Sequence, residues 1–281
     1  MGLRPSVTAC FREGAMRRGW PRSMLLYGLG LPALLFFGLP MLVLVFRAAE
    51  GLSGSALKAP LVRQAMALTM GTSLATTGLA ALLGTPLAYL LARRTFPGKA
   101  LVETLVELPI VIPPVAGGVI LLLTFGRRGL LGPALEAVGV TLSFTPQGVV
   151  MAQLFIAAPF YIRGARLGFL TVSRELEEAA AVDGASPWGV LWHVTLPLAF
   201  PGLFSGLVLC WARAIGEFGA TYLFAGNLPG RTQTMPLAIL TAMESDLRAA
   251  LALTVLLAFF SAAVLVGLRG LLAEQEGAFL Q

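Results

Sequence analysis

Charge is scarce in this chain. Of its 281 residues only 12% are Asp, Glu, Lys or Arg, while 57% are apolar. That is about half the charged share of an ordinary soluble domain, so too few charges are present to cover a water-soluble globule of this size. Histidine is nearly absent. His193 stands alone, and one imidazole in such company builds neither a histidine metal site nor a catalytic pair. The two cysteines, Cys10 in a basic stretch and Cys210 inside an apolar run, offer no disulfide framework. The phosphate-binding pattern G-x-x-x-x-G-K-[ST] is missing, because the Gly98-Lys99 pair is followed by Ala100. The chain therefore has no candidate catalytic residues, no metal set and no bound cofactor of its own, and it is expected not to be an enzyme. The net charge of +6 does not point to nucleic acid. The basic residues sit beside apolar runs, where the positive-inside effect places them.

What the chain has in abundance is long apolar runs. Six spans can be drawn, over residues 24–46, 65–92, 105–125, 147–170, 198–224 and 249–268. Each has about 20 residues or more, which at helical rise crosses a hydrocarbon core of about 30 Å. Inside a bilayer every backbone group must find an internal partner, so the spans are helices or a closed barrel. Continuous runs, rather than alternating ten-residue segments, exclude the barrel. The fold class is all-α, a polytopic bundle of six transmembrane helices. Arg17, Arg18 and Arg22 ahead of an apolar run resemble a signal peptide, but 24–46 is longer than the roughly 7–15 residues of a signal core. It is read as a retained first span.

Lys and Arg set the orientation. With the N-terminus inside, Arg4, Arg12, Arg17, Arg18, Arg22, Arg93, Arg94, Lys99, Arg163, Arg166, Arg174 and Arg269 face the cytoplasm. The smaller set Arg47, Lys58, Arg63, Arg127, Arg128, Arg231 and Arg248 faces outward, and Arg213 lies within a span. Both termini are then cytoplasmic. The layout is a basic tail (1–22), a membrane domain (23–272) with a cytoplasmic loop at 171–197, and a short tail (273–281).

That loop carries the most specific pattern. Ser173 suits a helix N-cap, with Glu175, Glu177 and Glu178 near the positive end of the helix that follows. Ala179, Ala180 and Ala181 are strong helix formers whose small side chains let another surface approach. Asp183-Gly184 ends the helix, with Gly184 suited to a left-handed terminus. Ser186-Pro187 is an N-cap followed by proline at the first helical position. Trp188 and Trp192, four apart, form one apolar patch. Leu196-Pro197 opens the next span. Glu178-Ala179-Ala180, then Gly184, then Val194-Thr195-Leu196-Pro197 resembles the EAA signature of ATP-binding-cassette importer permeases. The one departure is Val194, where that signature has isoleucine.

A second stretch narrows the resemblance. Arg213-Ala214-Ile215-Gly216-Glu217-Phe218-Gly219-Ala220-Thr221, then Phe224-Ala225-Gly226-Asn227 and Pro229-Gly230-Arg231-Thr232-Gln233-Thr234, looks like molybdate permeases. Sulfate permeases share the Gly-Glu-aromatic-Gly core but differ in the loop after it. Leu108-Pro109, Pro113-Pro114 and Phe125-Gly126-Arg127-Arg128-Gly129 agree, so the resemblance covers residues 71–268.

The resemblance implies a permease subunit of the bacterial inner membrane that moves molybdate inward, with tungstate or sulfate as alternatives. It implies a second copy of the chain, a cytoplasmic ATPase dimer using ATP and magnesium, and an extracytoplasmic molybdate-binding protein. In that family Glu178, Ala179, Ala180, Asp183, Gly184, Leu196 and Pro197 belong to the loop the ATPase grips, and Glu178 would face a basic residue of its cleft. An ion-coupled secondary transporter is the competing class; Glu217 fits it, but no repeat is visible.

Four residues are candidates for the path or gate. Pro113 and Pro114 break the helix ladder, and irregular backbone at that depth is tolerated where it lines a cavity. Arg213 and Glu217 are four apart on one helical face and are expected to pair. They serve either the path or a structural contact between helices. Glu103 and Glu107 are expected to face water at a helix start, with a bridge to Arg213 or Arg166 as the alternative. Gly164-x-x-x-Gly168 and Gly202-x-x-x-Gly206 permit close helix contact.

Overall fold

The computed structural model describes residues 20–51 and 58–279. The chain divides into two compact units, Met1–Ala49 and Glu50–Gln281. The first is represented by α1 (Trp20–Gly51), whose apolar stretch Tyr27–Ala48 is long enough to cross a bilayer. Residues 1–19 of the expected basic tail lie outside the described residues.

The second unit is built from α2 (Pro60–Arg93), α3 (Lys99–Val111), α4 (Pro114–Phe125), α5 (Gly132–Ala137), α6 (Pro146–Thr171), α7 (Arg174–Val182), α8 (Pro187–Val190), a π-helical turn (Leu191–Thr195), α9 (Leu196–Ile215), α10 (Gly219–Ala225), α11 (Met235–Ser245) and α12 (Leu247–Phe279). Every described regular element is helical. Among the described residues five helices are long and apolar enough to span, and α3 with α4 makes a sixth if the pair is counted as one broken span. α12 continues to Phe279, through most of the segment expected as a C-terminal tail.

α6 is the central post. α2 lies on one side and α9 on the other, around a core of Ala80, Ala88, Ala157, Tyr161, Ala165, Phe169, Ala199, Cys210 and Ala214. The abundance of alanine has a physical reason. Lipid tails are as apolar as leucine, so helices associate through close packing of small residues. The tightest approach is glycine on glycine. A Cβ on Gly164 would lie 2.7 Å from the Gly206 Cα, and one on Gly168 2.9 Å from the Gly202 Cα. Both glycine pairs read from the sequence meet in this one contact.

Two further cores close the unit. Val62 and Ala65 of α2 pack with Met235 and Ala238 of α11 and with Ala249 and Leu253 of α12. Leu121 of α4 packs with Ala152 and Ile156 of α6 and with Ala220 and Phe224 of α10.

Two expected spans are interrupted. The run at 105–125 is bent by 120° between α3 and α4, because Pro113 and Pro114 have no N–H to continue the ladder. The run at 198–224 is not one helix, as the sequence reading drew it. α9 stops at Ile215, Gly216-Glu217-Phe218 leave the helix, and α10 begins at Gly219. The segment between α10 and α12 contains the 11-residue α11.

The glycine contact gives a test. Gly202→Ala is expected to destabilise the chain by about 1–3 kcal/mol, the usual cost of overpacking, because its Cβ would overlap the backbone of Gly168. Gly78→Ala, on a face with nothing within 4 Å, is expected to be neutral or stabilising. Thermal unfolding midpoints of the two variants in one detergent decide it; equal midpoints would show that the α6–α9 contact is loose.

Candidate functional site: the cytoplasmic hairpin and the broken helices

The loop at 171–197 folds as two short helices and a turn. The Ser173 hydroxyl accepts the N–H of Glu175 at 3.2 Å and caps α7. Gly184 takes φ +93° after α7, and no neighbour lies within 4 Å of where its Cβ would be. The left-handed turn is thus a backbone requirement. The Ser186 hydroxyl accepts the N–H of Gly189 at 3.1 Å, and Pro187 opens α8. The π-helical turn that follows has its own cause. Pro197 lacks an N–H, and the Leu196 N–H bonds Leu191 O, five residues back. A widened turn accommodates the proline ahead of α9.

Of the residues singled out in the loop, Glu178, Ala179, Asp183, Gly184 and Pro197 are exposed, while Ala180 and Leu196 are half-buried. Trp188 is 71% and Trp192 62% exposed. Apolar side chains left open on a polar hairpin mark a contact surface. Beside them lies an open cleft of about 430 Å³ lined by Tyr89, Arg174, Glu177, Glu178, Ala181 and Pro187 among others. His193 is an ordinary loop residue whose Nδ1 lies 3.0 Å from Gly189 O.

The path candidates come together elsewhere. The Glu217 side chain is 0% exposed. Its Oε1 accepts the N–H of Ala220 at 2.9 Å, which ties down the start of α10. Its Oε2 lies 2.6 Å from Nη2 of Arg213, off the line of the guanidinium hydrogens, so the contact is ionic rather than a hydrogen bond. The expected pair is real, but it closes across the end of α9 rather than along a continuous helix. Pro114 and Val115 pack on the same corner, since a Cβ on Gly219 would lie 2.9 Å from Val115 N and 3.2 Å from the Pro114 Cβ. The two backbone breaks therefore meet, and Pro114, Glu217 and Arg213 belong to one locus. Pro113 is exposed beside it.

Other polar contacts had no signal in the sequence, or only an alternative one. Gln153, fully buried on α6, donates to Ala214 O near the end of α9 at 3.1 Å and pairs with the Thr76 hydroxyl of α2 at 3.1 Å. Glu103 does not simply face water. It bridges Arg166 at 2.9 Å, joining α3 to α6, with Lys99 at 3.9 Å. The alternative partner weighed for it is the one found, because α3 packs alongside α6; Glu107 remains exposed. Arg93 and Glu177 also pair, at 3.0 Å. Among the described residues no group of three or more His, Cys, Asp or Glu side chains is placed to hold a metal ion.

Residues 84–274, the stretch holding the hairpin and both breaks, match the family of binding-protein-dependent transport system inner membrane components. The chain belongs to this family. It is a multi-pass membrane protein with the fold of transport permeases. It is 40% identical over 240 residues to the molybdenum transport system permease protein ModB of Mycobacterium tuberculosis, covering 84% of this chain and 91% of that one. It is 43% identical over 178 residues to ModB of Escherichia coli, covering 62% of this chain and 78% of that one. Its fold resembles a chain in the crystal structure of a bacterial alginate ABC transporter in complex with an alginate pentasaccharide-bound periplasmic protein. There the TM-score is 0.69 at 19% identity, over 89% of this chain and 94% of that chain.

The buried pair of this permease is expected to be asymmetric to mutation. Arg213→Ala leaves the Glu217 carboxylate buried without its counter-charge and is expected to cost about 3–5 kcal/mol. The double change Arg213→Ala with Glu217→Gln removes both charges and should recover much of that loss. Unfolding midpoints of the two variants measure it; a double variant no more stable than the single one would show that Glu217 does not depend on Arg213.

Proposed function

We propose that the chain is the membrane-spanning subunit of an importer that carries molybdate into the cell, powered by a separate ATPase. Its ModB relatives support the substrate, and the exposed hairpin supports the drive. That hairpin carries the reading. Two capped helices and their turn hold Glu178, Ala179, Asp183 and Gly184 outward with Ala180 half-buried among them, and two open tryptophans lie beside a cleft. A surface so apolar and so ordered fits a protein partner.

In this reading two copies of the chain enclose one path. An ATPase dimer holds ATP and magnesium and docks on the two hairpins, and an extracytoplasmic binding protein delivers the anion. Both termini are cytoplasmic, which puts the hairpin on the ATPase side. Closure of the ATPases moves the hairpins and opens the path outward, and hydrolysis resets it. Pro113, Pro114, Arg213 and Glu217 stand at the gate, where both backbone breaks meet. The Arg213 charge is already matched by Glu217 at 2.6 Å, so the locus offers an anion no free cation. A path needs that property, because a deep well would trap a dianion.

Uptake into proteoliposomes holding the chain, its ATPase and its binding protein is expected to require ATP and to favour molybdate over sulfate. Equal uptake of sulfate or tungstate would move the substrate to oxyanions in general. Uptake driven by an ion gradient without ATP would overturn the reading. Gly184→Val has free space for its side chain but must hold a positive φ, a cost of about 1–2 kcal/mol or more for a β-branched residue. It is expected to insert normally and to lose ATPase binding or coupled uptake. Undiminished uptake by this variant would sink the docking role of the turn.

A further inference from the structure

The hairpin is tied at one point to a helix that does not flank it in sequence. Arg93, in the last turn of α2, lies 9% exposed against Glu177 of α7, itself 17% exposed, at 3.0 Å. The same guanidinium nitrogen donates to Val172 O at 3.0 Å, at the end of α6. Glu177 Oε1 also accepts the Thr195 hydroxyl at 2.7 Å, at the entrance to α9. Nη2 of Arg174 reaches back to Arg93 O at 3.5 Å. One carboxylate and one guanidinium therefore join the ends of α2, α6, α7 and α9. Glu178 beside it points to the open surface and makes no such contact.

α2 then runs the depth of the unit. At its far end the Thr69 hydroxyl accepts the N–H of Met235 at 2.7 Å and holds the first residue of α11. Midway, Ser73 accepts from Trp211 Nε1 of α9 at 3.0 Å, and Thr76 contacts Gln153 of α6. The stretch of this helix from Arg93 to Thr69, about 36 Å at helical rise, thus connects the hairpin to α11.

We propose that Arg93, Glu177 and Thr195 form a clasp that makes α2 a third limb of the coupling device. A push on the hairpin is delivered to α2, and through it to α11, as well as to α6 and α9. Glu177 is here a positioning residue distinct from Glu178, whose place is the surface offered to the partner. The clasp rests on the proposed function, since it transmits a force that only a docked ATPase supplies. Its chemistry fits the task. A charge-assisted pair shielded from water is stronger and stiffer than a surface salt bridge. The Thr195 hydroxyl, donating to the same carboxylate at 2.7 Å, adds direction without another charge.

The test uses the complete transporter in proteoliposomes, with molybdate as the ion. Three quantities are measured: ATPase retained on purification, ATP hydrolysed, and ions taken up. Glu177→Gln and Thr195→Val each remove part of the clasp, and the second leaves no charge unpaired, so folding is preserved. Glu175→Gln, on the exposed side of the same helix, is the control. Both clasp variants are expected to retain the ATPase and to keep hydrolysing ATP. Each should consume about tenfold more ATP per ion, the scale of one charge-assisted hydrogen bond lost from the transmitting state. A merely structural role would lower protein yield and leave that ratio unchanged. Wild-type ratios in both variants, or loss of the ATPase from both, would overturn the clasp. An unmodified complex that neither binds the ATPase nor needs ATP would overturn the function it rests on instead.

Discussion

The hairpin end of the unit depends on how closely α6 and α9 approach. In a bilayer no hydrophobic force draws two helices together, because their surroundings are already apolar. Contact must come from shape, and here it comes from four glycines. Gly168 lies three residues from the end of α6, and Gly202 is in the second turn of α9. The chain leaving α6 and the chain entering α9 are therefore held side by side. The hairpin between them is closed at its base before its own caps act, and Ser173, Gly184 and Ser186 only shape what the glycine contact has joined.

Polar side chains do the corresponding work wherever the helices are interrupted. A broken helix in lipid exposes carbonyls and amides that cost free energy unless they are paired. Gln153 takes the carbonyl of Ala214 near the end of α9, Glu217 takes the amide of Ala220 at the start of α10, and Thr69 takes the amide of Met235 at the start of α11. Each is fully buried; the two amides have no helical partner, and the Ala214 carbonyl otherwise holds only the tightened last turn, where it accepts the N–H of Glu217 at 3.2 Å. The buried polar residues of this permease are in this sense part of its backbone. That accounts for their presence before any role in transport is invoked.

The sequence made some of this visible and hid the rest, for reasons that differ residue by residue. The hairpin was legible because its determinants are local: a serine cap, a glycine turn and a Ser-Pro start act within a few residues of themselves. The break at Pro113-Pro114 was legible because proline announces it. The break at Gly216-Glu217-Phe218 was not. Apolar residues continue on both sides, glycine is tolerated in membrane helices, and the capping partner of Ala220 reads equally well as a helical i,i+4 neighbour of Arg213. The pairs Glu103–Arg166 and Arg93–Glu177 were hidden more deeply. Each joins elements far apart in sequence, and charge at a span end is expected from orientation alone. Glu103 could be given a candidate partner, whereas nothing in the order of residues singled out Glu177 over Glu178.

These two classes of contact also separate the stiff part of the unit from the part that can change shape. At its four glycines the α6–α9 contact is backbone on backbone, so it behaves as one body. The corner where Pro114 meets Gly219 is different. It has two interrupted backbones, one capping hydrogen bond from Glu217 and one ionic contact from Arg213. Bistable elements of membrane proteins need such places, because a packed glycine interface deforms only by separating. The ionic contact also explains why charge is tolerated at that corner. Glu217 is stabilised by Arg213 and by an amide together, so neither of its oxygens depends on a passing ion. The protein thus keeps a matched pair of charges at the meeting of its two broken helices.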